Sequence, residues 1–565
     1  MKPHIEKLLR QAVELQKLNK LDAAETLYEK VRREDPKNPD ALHLLGVLYM
    51  TRGDLQKAQT LIVKAIKIRS NDSAYYSNLG IVLKDQGAFS AALGSLDQAL
   101  KIQHDYPEAL CNRGLTLEYL RRREEAIRDF DSAIALRPGY AAAYSNKGIT
   151  LQAMGKHEEA LACFRSAIAS DPTFIDAFNN YAALLRRLRR YPESLKIYEK
   201  TLRMSPNHVE AFQGRGELLA EMGRPTEALR DFDTALRLRP NYADALWAKG
   251  FTNLAIGNFD AGWELYDQRF EQSNKQCSVL STPRPRWTPS SKEGTLLIWS
   301  EQGVGDELFF AQWMEAASKL STKTIFAVDG RLKNTYRRSF PDLNFVDKTT
   351  EVSADTHDQH LPMGSIPKSL RDSGYEWSTS RRTPYLVPNK VKVAELRNAL
   401  SERGKTICGL TWKSTRPGLG DDKSLPLTDL LPILKLPNFK FVNLQYGDTT
   451  EEVTRLKQDY GVDIFNVAGI DNFENLDDHV SLVAACDELV LVCNATSHIA
   501  GALGKPAHLL TPIGKALIWY WGNHRDGRSL WYPTLKMHPQ SDNFSWKERI
   551  SFIAGALHTR EDLSN

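Results

Sequence analysis

A period of 34 residues is the feature that most restricts what this chain can fold into. Glycine, alanine and proline recur at this interval, or at multiples of it, through the first half of the sequence. The recurring positions are Gly46, Gly80, Gly114, Gly148, Gly216 and Gly250; Ala24, Ala58, Ala92, Ala126, Ala160 and Ala228; and Pro36, Pro138, Pro172, Pro206 and Pro240. A repeat of this length holds one pair of helices. In this register the sequence predicts eight pairs, from 5–38 through 243–276.

The spacing has a physical cause. Small residues let the two helices of a pair approach closely, larger residues fill the gaps, and proline ends the second helix. One pair is too small to bury its apolar face alone, so the pairs are expected to stack into a solenoid. The pattern is that of tetratricopeptide (TPR) repeats and predicts a TPR superhelix over 1–276. The eighth repeat departs from it at Gly262 and Trp263, and we expect it to cap the array.

An asparagine row shares this period. It lies two residues before the glycine position, on the first helix of each pair, and comprises Asn78, Asn112, Asn146 and Asn180. First helices line the concave surface of a TPR superhelix. A carboxamide offers one acceptor and two donor hydrogens, so the row predicts binding of an acceptor polypeptide through its backbone. The alternative is that these amides only hydrogen-bond neighbouring helices.

Composition and charge exclude several classes of protein. The 74 Lys and Arg residues against 70 Asp and Glu give a net charge of +4, which does not require a nucleic acid as partner. The six cysteines have no metal-ligand spacing and are typical of reduced thiols. No apolar run approaches ~18 residues, and the N-terminus has no apolar signal region. We expect a cytoplasmic protein without a membrane span.

After residue 276 the period stops and the pattern becomes α/β. Residues 277–292 are rich in Pro, Ser and Arg and predict a linker. Apolar strands alternating with helical stretches then indicate parallel βαβ units. We predict two Rossmann-like halves, 293–390 and 391–565, with a hinge in 378–392 and a ligand at the carboxyl ends of the strands. The predicted strands are 295–300, 323–328, 343–347 and 358–362 in the first half, and 406–412, 439–445, 463–467, 488–493 and 507–511 in the second.

The stretch "SEQGVGDELFF" carries the leading catalytic candidate, Asp306. It follows the first α/β strand and forms a loop that contains Gln302, Gly303 and Gly305. Asp306 has two interpretations. It is either the N-cap of the following helix, a position that favours Asp, or a general base that takes a proton from a bound hydroxyl. We favour the base. Reserve candidates for that role are Glu301 and His360.

The second half supplies candidates for binding a phosphate. Lys413 and Ser414 follow its first strand, and "ELVLVCNATSHIAGALGKP" runs from a strand through a polar turn into a helix. Ser497 or Thr496 is expected to cap that helix, whose N-terminal amide groups favour an anion. His498 would lie in its first turn.

Four stretches, "EQGVGDELFFAQW", "FVNLQYGD", "HIAGALGKP" and "SLWYP", resemble TPR-fused bacterial glycosyltransferases whose catalytic half is heptosyltransferase-like and of the GT-B type. This group includes transferases that glycosylate flagellin. The repeats also resemble those of O-linked N-acetylglucosamine transferases, where an asparagine ladder grips acceptor polypeptides.

This resemblance implies roles for individual residues. Asp306 matches the proposed catalytic base of the family, and Lys413 matches a lysine that contacts the donor phosphate. The family's Asp-Thr-x-x-x-His turn reads Cys493-Asn494-Ala495-Thr496-Ser497-His498 here, so His498 is kept and the Asp and Thr are not. The departure implies either a different donor or a loss of activity. The implied donor-binding residues are Lys413, Ser414, Lys423, Asn494, Ser497 and His498.

Neither a metal nor a cofactor is expected. Asp-Phe-Asp at 129–131 and 231–233 mimics a metal-binding Asp-x-Asp, but both stretches lie in predicted helices, where residues i and i+2 point apart. We expect both to be solvated helix faces. The Gly-x-Gly of the first loop does not continue to Gly-x-Gly-x-x-Gly, which argues against an NAD enzyme.

Together these patterns predict a protein O-glycosyltransferase that moves a sugar from a nucleotide sugar to Ser or Thr of an acceptor protein, with flagellin as a candidate acceptor. The transfer is expected to be inverting and metal-independent. The alternative is a TPR adaptor or chaperone with an inactive transferase-like half. A transferase for lipid-linked or free glycans is a lesser alternative, because a glycan acceptor has no use for a peptide groove.

Overall fold

The computed structural model describes residues 3–273, 277–350, 352–375, 384–415 and 418–559. The chain divides into two compact units, Met1–Gly214 and Arg215–Asn565. Helices fill the first unit, and the second contains the last helix pairs followed by two sheets. The chain is thus a helical solenoid followed by an α/β region.

The helices of the solenoid come in eight pairs at the predicted positions. They are α1 (Pro3–Lys17), α2 (Leu21–Glu34), α3 (Pro39–Thr51), α4 (Leu55–Ile68), α5 (Ser73–Asp85), α6 (Phe89–Ile102), α7 (Pro107–Tyr119), α8 (Arg123–Leu136), α9 (Ala141–Ala153), α10 (His157–Ser170), α11 (Ile175–Arg187), α12 (Tyr191–Met204), α13 (Val209–Glu221), α14 (Pro225–Leu238), α15 (Ala243–Ala255) and α16 (Phe259–Tyr266). The divergent α16 has 8 residues, where the second helices before it have 14.

The small residues of the period act as predicted. In the first unit, a Cβ atom added to a glycine of the row would stand only 2.6–2.7 Å from a large side chain of the second helix in the same pair. The pairs are Gly46 with Ile62, Gly80 with Leu96, Gly114 with Phe130, and Gly148 with Phe164. Glycine is therefore required for close packing, because any side chain would overlap its neighbour.

The two Asp-Phe-Asp stretches are only partly solvated, which corrects the prediction for the first aspartate of each. Asp129 and Asp231 are buried, and each accepts two hydrogen bonds of 2.7–2.8 Å from an arginine of the preceding first helix. The arginines are Arg113 and Arg215. Each carboxylate pairs with a guanidinium on the other helix of the pair. The prediction rested on the spacing of residues within one helix, which carries no information about a partner 16 residues away.

The α/β region contains a four-stranded parallel sheet and a seven-stranded mixed sheet. The strands are β1 (Thr295–Trp299), β2 (Lys323–Val328), β3 (Asn344–Asp347), β4 (Gln359–Pro362), β5 (Thr406–Leu410), β6 (Phe439–Asn443), β7 (Glu488–Val492), β8 (Ala507–Thr511), β9 (His524–Arg525), β10 (Arg528–Ser529) and β11 (Leu535–Pro539). The orders are β3-β2-β1-β4 and β6-β5-β7-β8-β11-β10-β9. All pairings are parallel except those of β10 with β9 and β11.

Short helices connect these strands and cover the sheets. They are α17 (Val304–Phe310), α18 (Met314–Ala317), α19 (Lys333–Ser339), α20 (Ile366–Asp372), α21 (Lys390–Leu400), α22 (Gly420–Lys423), α23 (Leu431–Leu434), α24 (Thr450–Tyr460), α25 (Leu476–Ala485), α26 (Ala495–Ala502), α27 (Trp519–Gly522) and α28 (Lys547–Thr559). Helix α17 packs on α26, which joins the segment after β1 to the segment after β7.

The predicted strand at 463–467 is wrong, since its only ladder contact is a single bridge between Phe465 and Val442. Three strands at the other edge of the second sheet escaped prediction. The β11 segment directly follows aromatic residues, and no alternating strand pattern was recognised there. β9 and β10 flank Asp526-Gly527, both with positive φ, and an Asp-Gly turn of this kind is a hairpin signal that could have revealed them.

The predicted linker and hinge make contacts of their own. In the linker, Trp287 donates a backbone hydrogen bond of 2.8 Å to His360 and is buried. Residues 378–383 of the predicted hinge lie outside the described residues. The rest of that stretch runs into α21, where the Asn389 side chain caps the helix.

Candidate functional site

A cavity of about 550 Å³ opens in the second unit at the carboxyl ends of β1, β5 and β7. The last helix pair, the loop after β1 and several loops of the second sheet contribute to its wall. Eight of the predicted site residues line it: Gln302, Gly303, Gly305, Asp306, Ser414, Lys423, Asn494 and His498. The cavity therefore places the first-half loop against the second-half turn.

Asp306 is not the N-cap of its helix. Gly303 holds that position, and Asp306 lies three residues later in the first turn of α17. Its Oδ1 accepts a hydrogen bond of 3.0 Å from the hydroxyl of Tyr520. None of the described residues donates a hydrogen bond to Oδ2, so this oxygen is available to a ligand in the cavity.

Gly305 and His498 touch across the cavity wall. A Cβ atom added to Gly305 would stand 3.1 Å from Cδ2 and 3.5 Å from Nε2 of the imidazole. Glycine at 305 thus permits the close approach of the histidine to the loop that carries Asp306. This is a packing reason for the Gly-x-Gly pattern of that loop.

His498 is buried and neutral. Burial lowers its pKa to about 3, and the nearby charge of Lys423 contributes in the same direction. Its ring lies among aromatic rings, with centroids 4.5 Å from Trp521 and 5.0 Å from Tyr520. At neutral pH the imidazole can therefore act only as a neutral donor or acceptor.

Asn494, and not Ser497 or Thr496, caps helix α26. Its Oδ1 accepts a hydrogen bond of 3.0 Å from the backbone of Thr496, and its Nδ2 donates one of 3.2 Å to the Lys413 carbonyl. Ser497 completes a capping box, because its Oγ accepts a hydrogen bond of 3.1 Å from the Asn494 N–H, and it is fully buried. Asn and Thr are both good N-cap residues, so Asn494 can fill the capping role of the threonine in the glycosyltransferases that the sequence resembles.

Cys493 occupies the other position where this turn differs from that of the glycosyltransferases that the sequence resembles. Its thiol is buried, and burial raises its pKa to about 12. The residue lines the cavity as a neutral group. Lys423, also buried, lines the same cavity and supplies positive charge there.

Lys413 does not reach the cavity. Its Nζ forms an ion pair of 2.5 Å with Glu452, on α24. Only the backbone carbonyl of Lys413 contributes to the site, through its hydrogen bond with Asn494. The structure thus places Lys423, and not the side chain of Lys413, in the wall of the cavity.

The reserve candidates for the base are held elsewhere. Glu301 is buried and accepts a hydrogen bond of 2.8 Å from Arg269 and one of 3.0 Å from the Gly364 backbone. His360 accepts a hydrogen bond from the Trp299 indole through Nδ1. Neither side chain lines the cavity. Of the three candidates, Asp306 is the one that lines the cavity.

Several lining residues were missed from the sequence. Trp247 and Phe251 come from α15 of the last repeat, and Tyr266 ends α16. The Tyr266 hydroxyl lies 3.2 Å from the Gln302 side-chain nitrogen. Aromatic residues in a divergent repeat could have indicated this role. A helix that only packs on neighbouring repeats is expected to keep the residues of the repeat pattern.

A second cavity, of about 660 Å³, lies beside the first around the loops after β6. The two share Thr415, Tyr446, Asn472 and Phe473. The Phe473 ring faces the guanidinium of Arg331 at 4.7 Å, and Arg331 belongs to the first half. An elongated ligand could therefore contact both cavities.

The asparagine row of the first unit shows two kinds of environment. Asn78 and Asn146 face the preceding repeat, where their Nδ2 atoms lie 2.8 Å from His43 Nε2 and 3.4 Å from Cys111 Sγ. The amides of Asn112 and Asn180 make no hydrogen bond with other described residues, and both are partly exposed. The alternative of contacts between helices thus applies to half of the row.

Within the described parts of the chain, no helix is long and apolar enough to span a membrane. In the same residues, no three His, Cys, Asp or Glu side chains are grouped as metal ligands.

Comparison with known proteins identifies the repeats. Family models described as tetratricopeptide repeat match residues 15–80, 73–104, 107–140, 141–174, 173–241 and 214–270. The N-terminal part of the chain, up to about residue 270, therefore consists of TPR repeats.

One curated relative is Protein FlbA of Caulobacter vibrioides (strain ATCC 19089 / CIP 103742 / CB 15), 30% identical over 329 residues. The match covers 55% of this chain and 54% of FlbA, so the chain spans about half the length of this relative.

Among solved structures, a tetratricopeptide repeat protein from Parabacteroides merdae ATCC 43184 is 21% identical over 44% of this chain and 98% of its own, with a TM-score of 0.38. A thermophilic TPR protein of Thermus thermophilus, TTC0263, is 26% identical over 32% of this chain and 98% of its own, with a TM-score of 0.30.

Proposed function

We propose that the protein is a glycosyltransferase that moves a sugar from a nucleotide-activated donor to a serine or threonine hydroxyl of an acceptor protein. The α/β region would be a catalytic half of the GT-B type, with the acceptor hydroxyl on the side of β1 and the nucleotide on the side of β5 and β7. Flagellin is the acceptor that the sequence resemblance suggests.

One observation carries the proposal. A carboxylate from the first half lines the same cavity as a lysine of α22 and the turn that caps α26, both from the second half. Asp306 offers an oxygen that no described protein group occupies, while Lys423 and the N-terminus of α26 favour an anion. Glycosyl transfer needs this combination, because it deprotonates a hydroxyl and releases a phosphate.

The chemistry follows from these positions. Asp306 takes the proton of the acceptor hydroxyl, and the oxygen attacks the anomeric carbon as the bond from that carbon to the donor phosphate breaks. The nucleoside diphosphate leaves with the bonding electrons, and its charge is stabilised by Lys423 and the backbone amides at the start of α26. Attack opposite to the leaving group inverts the anomeric configuration. The Tyr520 hydroxyl holds Oδ1 of Asp306, so Oδ2 is the oxygen that receives the proton.

The repeats supply acceptor binding in this proposal. TPR repeats bind polypeptides, and the free amides of Asn112 and Asn180 can pair with backbone groups of an extended chain. In the second unit, the aromatic side chains Trp247, Phe251 and Tyr266 bring the last repeat to the wall of the cavity. They can contact the acceptor residues that flank the reacting hydroxyl.

Mass spectrometry tests the function. The purified protein is incubated with a panel of nucleotide sugars and with flagellin from the same cell, and the acceptor is examined for an added sugar mass. A mass increment that depends on both donor and protein supports the proposal. Its absence with every donor in the panel would count against it.

A second candidate is a TPR adaptor or chaperone with an inactive transferase-like half. Two observations favour it: a neutral thiol, Cys493, in the position of the family's aspartate, and the withdrawal of Lys413 to Glu452. Calorimetry separates the two candidates. An active transferase binds at least one nucleoside diphosphate, whereas an adaptor binds the client protein and none of the nucleotides.

A further inference from the structure

A chain of hydroxyl groups runs from helix α17 to His498. The Tyr385 hydroxyl donates a hydrogen bond of 2.8 Å to the Leu308 carbonyl. It also lies 3.2 Å from the Tyr532 hydroxyl, which in turn lies 3.1 Å from Nδ1 of His498. All three side chains belong to the second unit, and Tyr532 and His498 are buried.

Counting protons along this chain assigns each one. A tyrosine hydroxyl has one hydrogen to donate, and a carbonyl has none. The hydrogen of Tyr385 is used by Leu308, so the contact between the two tyrosines must use the hydrogen of Tyr532. Tyr532 then has only lone pairs for His498, which must donate its own proton from Nδ1. A neutral imidazole carries one proton, so its Nε2 is bare.

We propose that His498 presents an unprotonated Nε2 to the cavity and accepts a hydrogen bond from a hydroxyl of the bound ligand, with Tyr532 and Tyr385 as positioning residues that hold this tautomer. Naming that ligand as the transferred sugar rests on the function proposed above. The tautomer itself does not.

The position of Nε2 supports this assignment. His498 lines the cavity, and none of the described residues hydrogen-bonds to Nε2. The atom lies beside Gly305, next to the residue we assign as the base, and so at the reacting end of the cavity. A bare nitrogen repels a phosphate oxygen, since both are acceptors. His498 is therefore a residue that selects for a sugar hydroxyl and does not bind phosphate.

The depressed pKa of the ring, about 3, keeps the imidazolium from forming at neutral pH. The role of His498 is recognition, and proton removal stays with Asp306.

Long-range ¹H–¹⁵N correlation spectroscopy on protein labelled at histidine nitrogen tests the tautomer without any ligand. The signal of His498 is identified by its loss in His498→Gln. We expect a ring protonated on Nδ1 alone at pH 7. A signal from a ring protonated on Nε2, or on both nitrogens, would overturn the proposal.

Tyrosine variants test the relay. Tyr385→Phe frees the hydrogen of Tyr532 to turn toward Nδ1, so the Nε2-protonated form should appear. Tyr532→Phe removes the acceptor of Nδ1 and should give a mixture of tautomers. Tyr28→Phe, at a buried tyrosine of the first unit that bonds to Gln16, is the matched control and should leave the His498 signal unchanged. An unchanged signal in both relay variants would contradict the proton assignment.

Two substitutions then test the ligand contact by calorimetry with nucleoside diphosphates and the matching nucleotide sugars. His498→Asn keeps a donor toward Tyr532 but does not reach the place of Nε2, so nucleotide-sugar affinity should fall roughly threefold to tenfold while nucleoside-diphosphate affinity holds. His498→Gln places an amide oxygen near Nε2 and should restore part of the loss. An equal loss for both ligand classes would show a phosphate contact and reject the assignment. If the native protein binds no nucleotide, the proposed function fails, and with it the sugar as ligand, while the spectrum still decides the tautomer.

Discussion

The first unit and the α/β region bury charge in different ways. In the first unit, Arg113 meets Asp129 across a sequence separation of 16 residues, and about a quarter of the arginine side chain is exposed. At the entry to the α/β region, Arg269, just after the last helix pair, meets Glu301 across 32 residues, and both side chains are at most 2% exposed. The first pair recurs with the repeat, as Arg215 with Asp231 shows. The second has no counterpart in the repeats.

The difference shows how each region reaches stability. Repeats gain from many similar contacts between neighbouring helices, each partly solvated and each of modest value. At the cavity of the α/β region, buried polar groups have partners distant in sequence, as His498 has in Tyr532 and Asn494 in the Lys413 carbonyl. Removing one partner there leaves a buried charge or dipole without compensation. Changes near the cavity are therefore expected to have larger effects than matched changes in the repeats.

The largest effect is expected at the proposed base, Asp306. Asp306→Asn removes the proton acceptor and should lower the rate of sugar transfer by ~10²–10⁴-fold, with donor affinity little changed. Initial rates with a labelled nucleotide sugar provide the measurement. Asp355→Asn, at an exposed carboxylate of the same half, is the control and should keep full activity. Full turnover in Asp306→Asn would remove this residue from the mechanism.

The buried ion pair comes next. Arg269→Met leaves the buried carboxylate of Glu301 without its arginine partner. It should lower the free energy of unfolding of the second unit by about 3–5 kcal/mol. Arg113→Met, the matched change in the repeats, should cost less, about 1 kcal/mol, because about a quarter of that arginine side chain is exposed.

Tryptophan fluorescence during denaturant unfolding reports on the second unit alone, because all 11 tryptophans follow residue 214. Far-ultraviolet circular dichroism follows the helical repeats. An equal loss of unfolding free energy in Arg269→Met and Arg113→Met would contradict the expected difference between the two regions.

A glycine pair tests packing within the repeats. Gly114→Ala places a methyl group 2.6 Å from the Phe130 ring and should destabilise the first unit by about 1–3 kcal/mol. Gly94→Ala, in an exposed part of a helix with open space around it, should stabilise by up to about 1 kcal/mol. Thermal unfolding followed by circular dichroism gives both values. A stabilising Gly114→Ala would show that the helices of a pair can move apart.

The smallest effect is expected in the asparagine row. Replacing Asn112 and Asn180 together with Ala should weaken binding of an acceptor peptide several-fold, since one hydrogen bond contributes about 0.5–1.5 kcal/mol. Stability should not change, because these amides bond to no other described residue. Replacing Asn78 and Asn146 should lower the melting temperature instead. Fluorescence anisotropy with a labelled peptide measures affinity, and unaltered affinity in the first double variant would reject the groove.

The solenoid was predictable because its contacts are local. Each glycine faces a side chain of the same pair, so a simple periodicity encodes the packing, and eight pairs were placed correctly. Strands β1 to β8 were also predictable, since short apolar runs ended where polar loops began, whereas β11, which is also parallel to its neighbour β8, was missed. The prediction of a strand at 463–467 failed because an apolar run does not by itself determine whether a neighbouring strand is available for pairing.

The candidate site divides in the same way. Its position at strand ends follows from the chain pattern, which is why the sequence alone points to Asp306, Asn494 and His498. Which groups face the cavity depends on tertiary contacts. Lys413 is drawn to Glu452, Lys423 takes its place in the wall, and Tyr532 orients the imidazole of His498. These partners lie 34–39 residues apart or in separate segments, and a local pattern holds no information about them, because hydrogen bonds and ion pairs are chosen by the folded arrangement of the whole unit.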